Sequence, residues 1–155
     1  MLIDVDKDLE ALAVCKNRFQ GQNVKFVHSD FKSLPNILRE LNITKVDGIL
    51  ADLGVSSYQF DTPERGFSYM HDAKLDMRMQ IDAPLSAYNV VNEYSEFDLR
   101  KIINDYGEER FAGRIAANIC KARAERKIET TFQLSEIIKS AIPTPRVVIA
   151  RPVTF

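Results

Sequence analysis

The run Val46-Asp47-Gly48-Ile49-Leu50-Ala51-Asp52-Leu53-Gly54-Val55-Ser56-Ser57 restricts the fold more than any other part of this chain. An apolar stretch that ends in an acid and passes into small residues predicts a short buried strand in an open α/β sheet. Such a strand delivers Asp52 to the crevice beyond the strand ends, where ligands of these sheets sit. An equally simple reading makes Asp52 the cap of the turn that follows.

The residues before this run supply partners for it. Met1 to Asp6 reads as a strand that starts without a turn or cap of its own. Leu9, Leu12, Ala13, Cys15 and Phe19 then recur at helical spacing, with Asp8 as cap and Gly21 as stop. Val24 to His28 alternates like a second strand and ends at Ser29-Asp30-Phe31. Leu34, Ile37, Leu38 and Leu41 form the stripe of a second helix that admits Pro35 in its first turn. Strand, helix, strand, helix, strand predicts parallel pairing through crossovers. From Tyr58 to Leu85 no period persists, and a segment of that length suggests a functional surface or an insertion. Beyond Ser86 the pattern is helical. Ser95 caps a helix with Leu99, Ile102 and Ile103, Tyr106-Gly107 ends it, and Phe111, Ile115, Ile119 and Ala122 line a longer one. Thr130 or Thr131 caps a third, which Pro143 and Pro145 close. Arg146 to Phe155 is again strand-like.

Charge and cysteine content narrow the function classes. The 155 residues carry a formal charge of -1, which gives no general attraction to nucleic acid or anionic lipid. Arg100 to Lys127 nevertheless holds eight Lys or Arg against four Asp or Glu, a local excess that suits either a polyanion or an ordinary solvated helix face. Cys15 and Cys120 have no partner at ligand spacing, so buried thiols in a reducing compartment are expected, with no metal site. No stretch is long enough to span a bilayer and the N-terminus lacks the pattern of a secretory signal, which makes the cytoplasm the expected location and excludes a membrane partner.

Three predicted strand ends are acidic, at Asp6, Asp30 and Asp52, and parallel strands bring such ends to one edge. A carboxylate at the Asp6 position suits the two hydroxyls of a ribose. Phe31 offers a flat surface to an adenine ring, or serves as a core aromatic at a helix start. The glycine-rich turn of a dinucleotide site is absent, so the residues alone support an incomplete nucleotide or nucleoside site.

Asp47 to Gln59, then Pro63-Glu64-Arg65-Gly66-Phe67-Ser68-Tyr69, then Leu75-Asp76-Met77-Arg78-Met79, closely resembles the bacterial small-subunit ribosomal RNA methyltransferase H family. Tyr106-Gly107-Glu108-Glu109-Arg110-Phe111 and Ile115-Ala116 match too, and the resemblance covers about residues 1 to 143. It implies a fold class of α/β type, a partial Rossmann-like methyltransferase sheet with a helical inserted substrate-recognition domain. Residues 1–57 then form the partial cofactor domain, 58–145 the loop-rich and helical insert, and 146–155 a short aberrant tail. The implied activity is methyl transfer from S-adenosyl-L-methionine to N4 of a cytidine in 16S rRNA of the small ribosomal subunit.

By the same resemblance Asp6 binds the cofactor ribose, Phe31 lies beside the adenine, and Asp52 and Gln59 are near the methionine end. Asp52 is also the expected catalytic acceptor for the cytosine amine. Phe67, Tyr69 or Tyr58 would stack on the base. Arg78 would meet a phosphate or an acid, or else bond to Asp76 and staple the loop, while Arg110, Arg114, Lys121, Arg123, Arg126 and Lys127 would face the RNA backbone. Asp4 and Tyr58 replace the Gly and Pro usual in the family. The family's Gly-Gly-His motif should precede Met1, and its returning strands should follow the insert. The expectation is therefore a form shortened at both ends, inactive, and prone to self-association through an exposed sheet edge. A non-catalytic RNA-binding or ribosome-assembly role is the alternative. A nucleotide-dependent oxidoreductase is disfavoured, since no acid-base pair for a reducible substrate is apparent.

Overall fold

The computed structural model describes residues 1–143 and divides into two compact units, Met1–Gly54 with Met79–Asp82, and Val55–Arg78 with residues 83–143. The tail expected at 146–155 lies outside the described residues.

The first unit begins with β1 (Leu2–Asp6), α1 (Leu9–Arg18) and β2 (Val24–His28). The two strands pair in parallel from Leu2↔Val24 to Asp6↔His28, as a crossover helix between them requires. α1 starts where Asp8 turns its carboxylate back on the Glu10 amide, 3.0 Å away. A 3-10 turn (Phe31–Ser33) leads into α2 (Leu34–Glu40), with Pro35 in the first turn, where its missing N–H costs nothing. Leu12 and Ile37 are its buried apolar side chains.

The strand expected at Asp47–Asp52 is not formed: residues 43–56 contain no helix or strand, and the sheet has two strands among the described residues. Ile49, Leu50 and Leu53 are 70, 94 and 66% exposed. An apolar run becomes a strand only when a neighbour completes its hydrogen-bond ladder, and β1 and β2 pair with each other, not with this run.

The second unit holds α3 (Ser57–Asp61), a 3-10 turn (Pro63–Arg65), α4 (Ala87–Glu93), α5 (Glu96–Asp105), α6 (Ala112–Glu125) and α7 (Thr131–Ala141). Ser56, Ser86, Ser95 and Thr130 each cap a helix through the side-chain oxygen. α6 packs against both α5 and α7, and Val91, Leu99, Ile103, Ile115, Ala116 and Ile119 form the middle of one apolar core.

The part of the aperiodic segment that belongs to this unit up to Arg78 is well anchored in it. The Leu75 amide donates to the Glu129 carbonyl at 2.9 Å, and the Thr131 amide to Ala73 at 2.9 Å, so the loop is tied to the start of α7. The Asp76 and Leu75 carbonyls accept from the Ala87 and Tyr88 amides at 2.7 and 2.8 Å, satisfying two otherwise unpaired N–H groups at the start of α4. Gly66 turns the chain at φ +73, where an added Cβ would lie 2.5 Å from the Lys74 carbonyl oxygen. Both cysteines are free but only half-buried, not the buried thiols expected, because each lies on a helix at the margin of its core. No helix among the described residues is long and apolar enough to cross a membrane.

Candidate functional site

The carboxyl edge of the β1–β2 pair brings together Asp6, Lys7, Asp30 and Phe31. Asp6 ends β1 opposite His28, and its backbone carbonyl accepts from the Ser29 amide at 3.0 Å, which fixes the start of the Asp30 turn beside it. One Asp6 carboxylate oxygen accepts from the Asp8 amide at 2.7 Å. Its second oxygen has no hydrogen-bond or salt-bridge partner among the described residues. Asp4, two residues back and on the same face of β1, has its carboxyl pushed up by burial and then by the Asp6 charge.

Asp30 is occupied by structural bonds. It accepts from the Lys32 amide at 2.9 Å and from Lys7 Nζ at 3.2 Å, and these hold its carboxyl below the ordinary range, the backbone bond contributing most. Phe31 follows and is 51% exposed as a residue, so it stands at the sheet edge and is not the core aromatic of the alternative reading. An open carboxylate oxygen and an exposed ring on adjoining turns match the donor and stacking needs of a nucleoside. The residues present therefore fit the adenosine end of the implied cofactor.

Asp52 is elsewhere in character. It lies in exposed chain without a ladder, and no hydrogen bond or ion pair joins it to Asp6 among the described residues. Its expected place at a strand end is corrected accordingly: without the strand, nothing aligns it with the other acids. Gln59, in the second unit, is buried, and its Oε1 accepts from the Ser56 amide at 3.1 Å in the capping box of α3.

Of the residues expected at the base, Tyr58 and Tyr69 are exposed, whereas Phe67 is buried against Phe60 with ring centroids 6.5 Å apart. The Phe67 ring is thus packed inward and is not presented for stacking. Arg78 donates to both Asp76 oxygens, at 2.9 and 2.6 Å, and to the Ala83 carbonyl at 2.8 Å, which staples the loop. Arg65, buried, crosses the same loop to the Arg78 carbonyl at 2.9 Å. Among the basic residues, Arg123 donates to the Val91 and Tyr94 carbonyls at the end of α4, so it closes a helix and is not held out toward a polyanion. Arg110 and Arg114 are exposed at the start of α6. Sequence reading missed Arg65, Asn92 and Arg123 as fold-holding residues, because each bonds backbone groups at least thirteen residues away in the chain.

β1, α1 and β2 form a parallel βαβ unit of the α/β class, with a carboxylate and an aromatic at its carboxyl edge. The chain belongs, within that class, to the MraW methylase family, whose profile matches residues 1–154. It is 54% identical over 143 residues to the ribosomal RNA small subunit methyltransferase H of Clostridium botulinum strain Kyoto, covering 92% of this chain and 46% of that protein. The protein of the same name from Caldicellulosiruptor saccharolyticus is 51% identical over 146 residues, covering 94 and 48%. That of Finegoldia magna is 52% identical over 144 residues, covering 92 and 46%. The chain thus spans about half the length of the curated relatives it matches.

Proposed function

We propose that this chain serves the transfer of a methyl group from S-adenosyl-L-methionine to N4 of a cytidine in 16S rRNA, in the cytoplasm. Membership of the family supports the reading, and the pairing of an open Asp6 carboxylate with an exposed Phe31 ring is the single observation in this molecule that carries it. Residues 1–57 are taken as part of a Rossmann-like cofactor domain and 58–145 as the helical substrate-recognition insert. The cofactor supplies an electrophilic methyl on a sulfonium, and the other requirements fall to the protein.

In this proposal Asp6 accepts hydrogen bonds from the ribose hydroxyls and Phe31 covers one face of the adenine. The cytosine amine is a weak nucleophile because its lone pair is delocalised into the ring. Asp52 accepts a hydrogen bond from one of its N–H groups, turns the lone pair out of the ring plane and takes the proton released as the new N–C bond forms and the sulfonium S–methyl bond breaks to leave a neutral thioether. Gln59 keeps the α3 cap in place beside the segment that carries Asp52 in sequence. Tyr58 or Tyr69 stacks on the base, and Arg110 and Arg114 meet the RNA backbone. Pairing of the exposed Ile49–Leu53 run with another chain accounts for the self-association expected of an open sheet edge.

Calorimetric titration with S-adenosyl-L-methionine tests the cofactor half: Asp6→Ala should weaken binding about tenfold or more. Equal affinity in both proteins would remove the ribose role. In a full-length relative, Asp52→Asn at the matching position should leave cofactor binding nearly intact and lower methylation. Unchanged methylation would discard the acceptor role. The placement of Asp52 in exposed chain favours a second reading, a non-catalytic RNA-binding or assembly role, for which specific RNA affinity without methyl transfer would be the signature.

A further inference from the structure

We propose that the cleft between α5 and the first turn of α6 is a phosphate-binding subsite for single-stranded RNA, built by Arg100, Arg110, Arg114 and the Gly113 amide. The proposal rests on the RNA reading above and adds to it a location and a new residue, Arg100. Arg100 and Asn104, four apart on α5, share a face. With Arg110, Phe111, Gly113 and Arg114 they line one cleft of about 360 Å³.

Three arginines line it, no carboxylate is among the lining residues, and none of the three arginines makes a salt bridge or side-chain hydrogen bond among the described residues. Elsewhere in this unit arginines are consumed by the fold, as Arg65, Arg78 and Arg123 are. Like charges gathered without a counterion raise one another's free energy, which an incoming anion relieves.

Local geometry prepares the group. The Arg110 guanidinium lies 4.6 Å from the centre of the Phe111 ring, a cation–π contact that limits its rotamers. The Arg100 side chain crosses Gly113, where an added Cβ would lie 3.8 Å from Arg100 Cδ and Nε. That distance is ordinary van der Waals contact, so the Arg100 side chain packs over the helix start without depending on the glycine. α6 lacks a side-chain cap on its first turn, and the Gly113 amide has no backbone acceptor among the described residues. The nearby acid, Glu109, is spent on the Phe111 amide at 2.8 Å. Planar forks plus a free helix amide suit the tetrahedral oxygens of a phosphodiester better than the flat, smaller charge of a carboxylate.

The experiment uses the whole chain, a fluorescein-labelled single-stranded oligoribonucleotide read by anisotropy across a salt series, and inorganic phosphate read by the ¹⁵N-resolved Gly113 amide. Arg100→Gln and Arg114→Gln should each weaken oligoribonucleotide binding about tenfold, equally for unrelated sequences, and flatten the log–log salt slope by about 0.7. Lys139→Gln, on α7 and paired with Glu136, should change neither. Helical circular dichroism should be the same in all variants, since all three side chains are exposed. If the oligoribonucleotide binds and both arginine variants keep its affinity and slope, the subsite is wrong while the RNA reading stands. If no RNA binds but phosphate moves the Gly113 resonance in the wild type and not in Arg100→Gln, the cleft is a free-phosphate site and the RNA reading fails. Absence of both responses overturns the proposal.

Discussion

Asn92 offers the sharpest test of how the helical unit is held. Its side chain is 5% exposed, and it bridges α4 to the segment before α7. Nδ2 donates to the Tyr88 and Ile128 carbonyls at 2.9 and 2.8 Å, and Oδ1 accepts from the Ile128 amide at 3.0 Å. One amide side chain thus satisfies both backbone groups of a buried residue 36 positions away, as a strand neighbour otherwise would. Asn92→Ala leaves the Ile128 N–H and C=O unpaired in the core. At about 1–2 kcal/mol for each orphaned group, the loss is about 2–4 kcal/mol. Asn92→Leu restores volume without the hydrogen bonds and should lose nearly as much, which separates packing from pairing. Urea unfolding followed by helical circular dichroism reads the effect. With a slope of about 1.5–2 kcal/mol per molar, a loss of about 3 kcal/mol moves the midpoint down by about 1.5–2 M. If Asn92→Leu unfolds within about 0.3 M of the wild type, the pairing argument is refuted and Asn92 matters only as filler.

Asp76→Asn should destabilise the loop by about 1–2 kcal/mol near neutral pH, because the Arg78 fork loses its charged partner. The Asp76 carboxyl is held below its ordinary value chiefly by the Arg78 side-chain hydrogen bond. The unfolded chain therefore takes up the proton first, and the contribution, full above about pH 5, is lost as pH falls below about 4. Acid titration of stability should show the wild-type advantage shrinking over that window, and a gap that persists at pH 2 would contradict it. Gly66→Ala sets a Cβ 2.5 Å from the Lys74 carbonyl at a left-handed φ, and should cost about 2 kcal/mol or more in the same urea assay.

Sequence by itself determined the elements whose free energy is local. Asp8 before Leu9 and Ser95 before Glu96 each cap a helix where the residues say they should, Thr130 is the one of the two threonines that caps the last, and alternation through Val24–His28 produces β2. Asp6 was legible as a strand-end acid from the parallel pattern, whereas Phe31 could be read either as an edge aromatic or as a core one, and its exposure decides for the edge. Tertiary structure alone decided the rest. The Asp47–Asp52 run has the composition of an inner strand, yet a strand exists only where a second backbone offers its ladder, and composition does not carry that partner. Phe67 and Gln59 read as site residues but are buried, one against Phe60 and the other in a helix cap. Arg123 reads as a surface charge but closes α4. The arginine cleft arises from residues on two helices whose approach is set by the α5–α6 core. Capping and periodicity act within a few residues, whereas burial and pairing depend on chain brought back from thirty to sixty positions away, as the Asn92–Ile128 and Ala73–Thr131 bonds are.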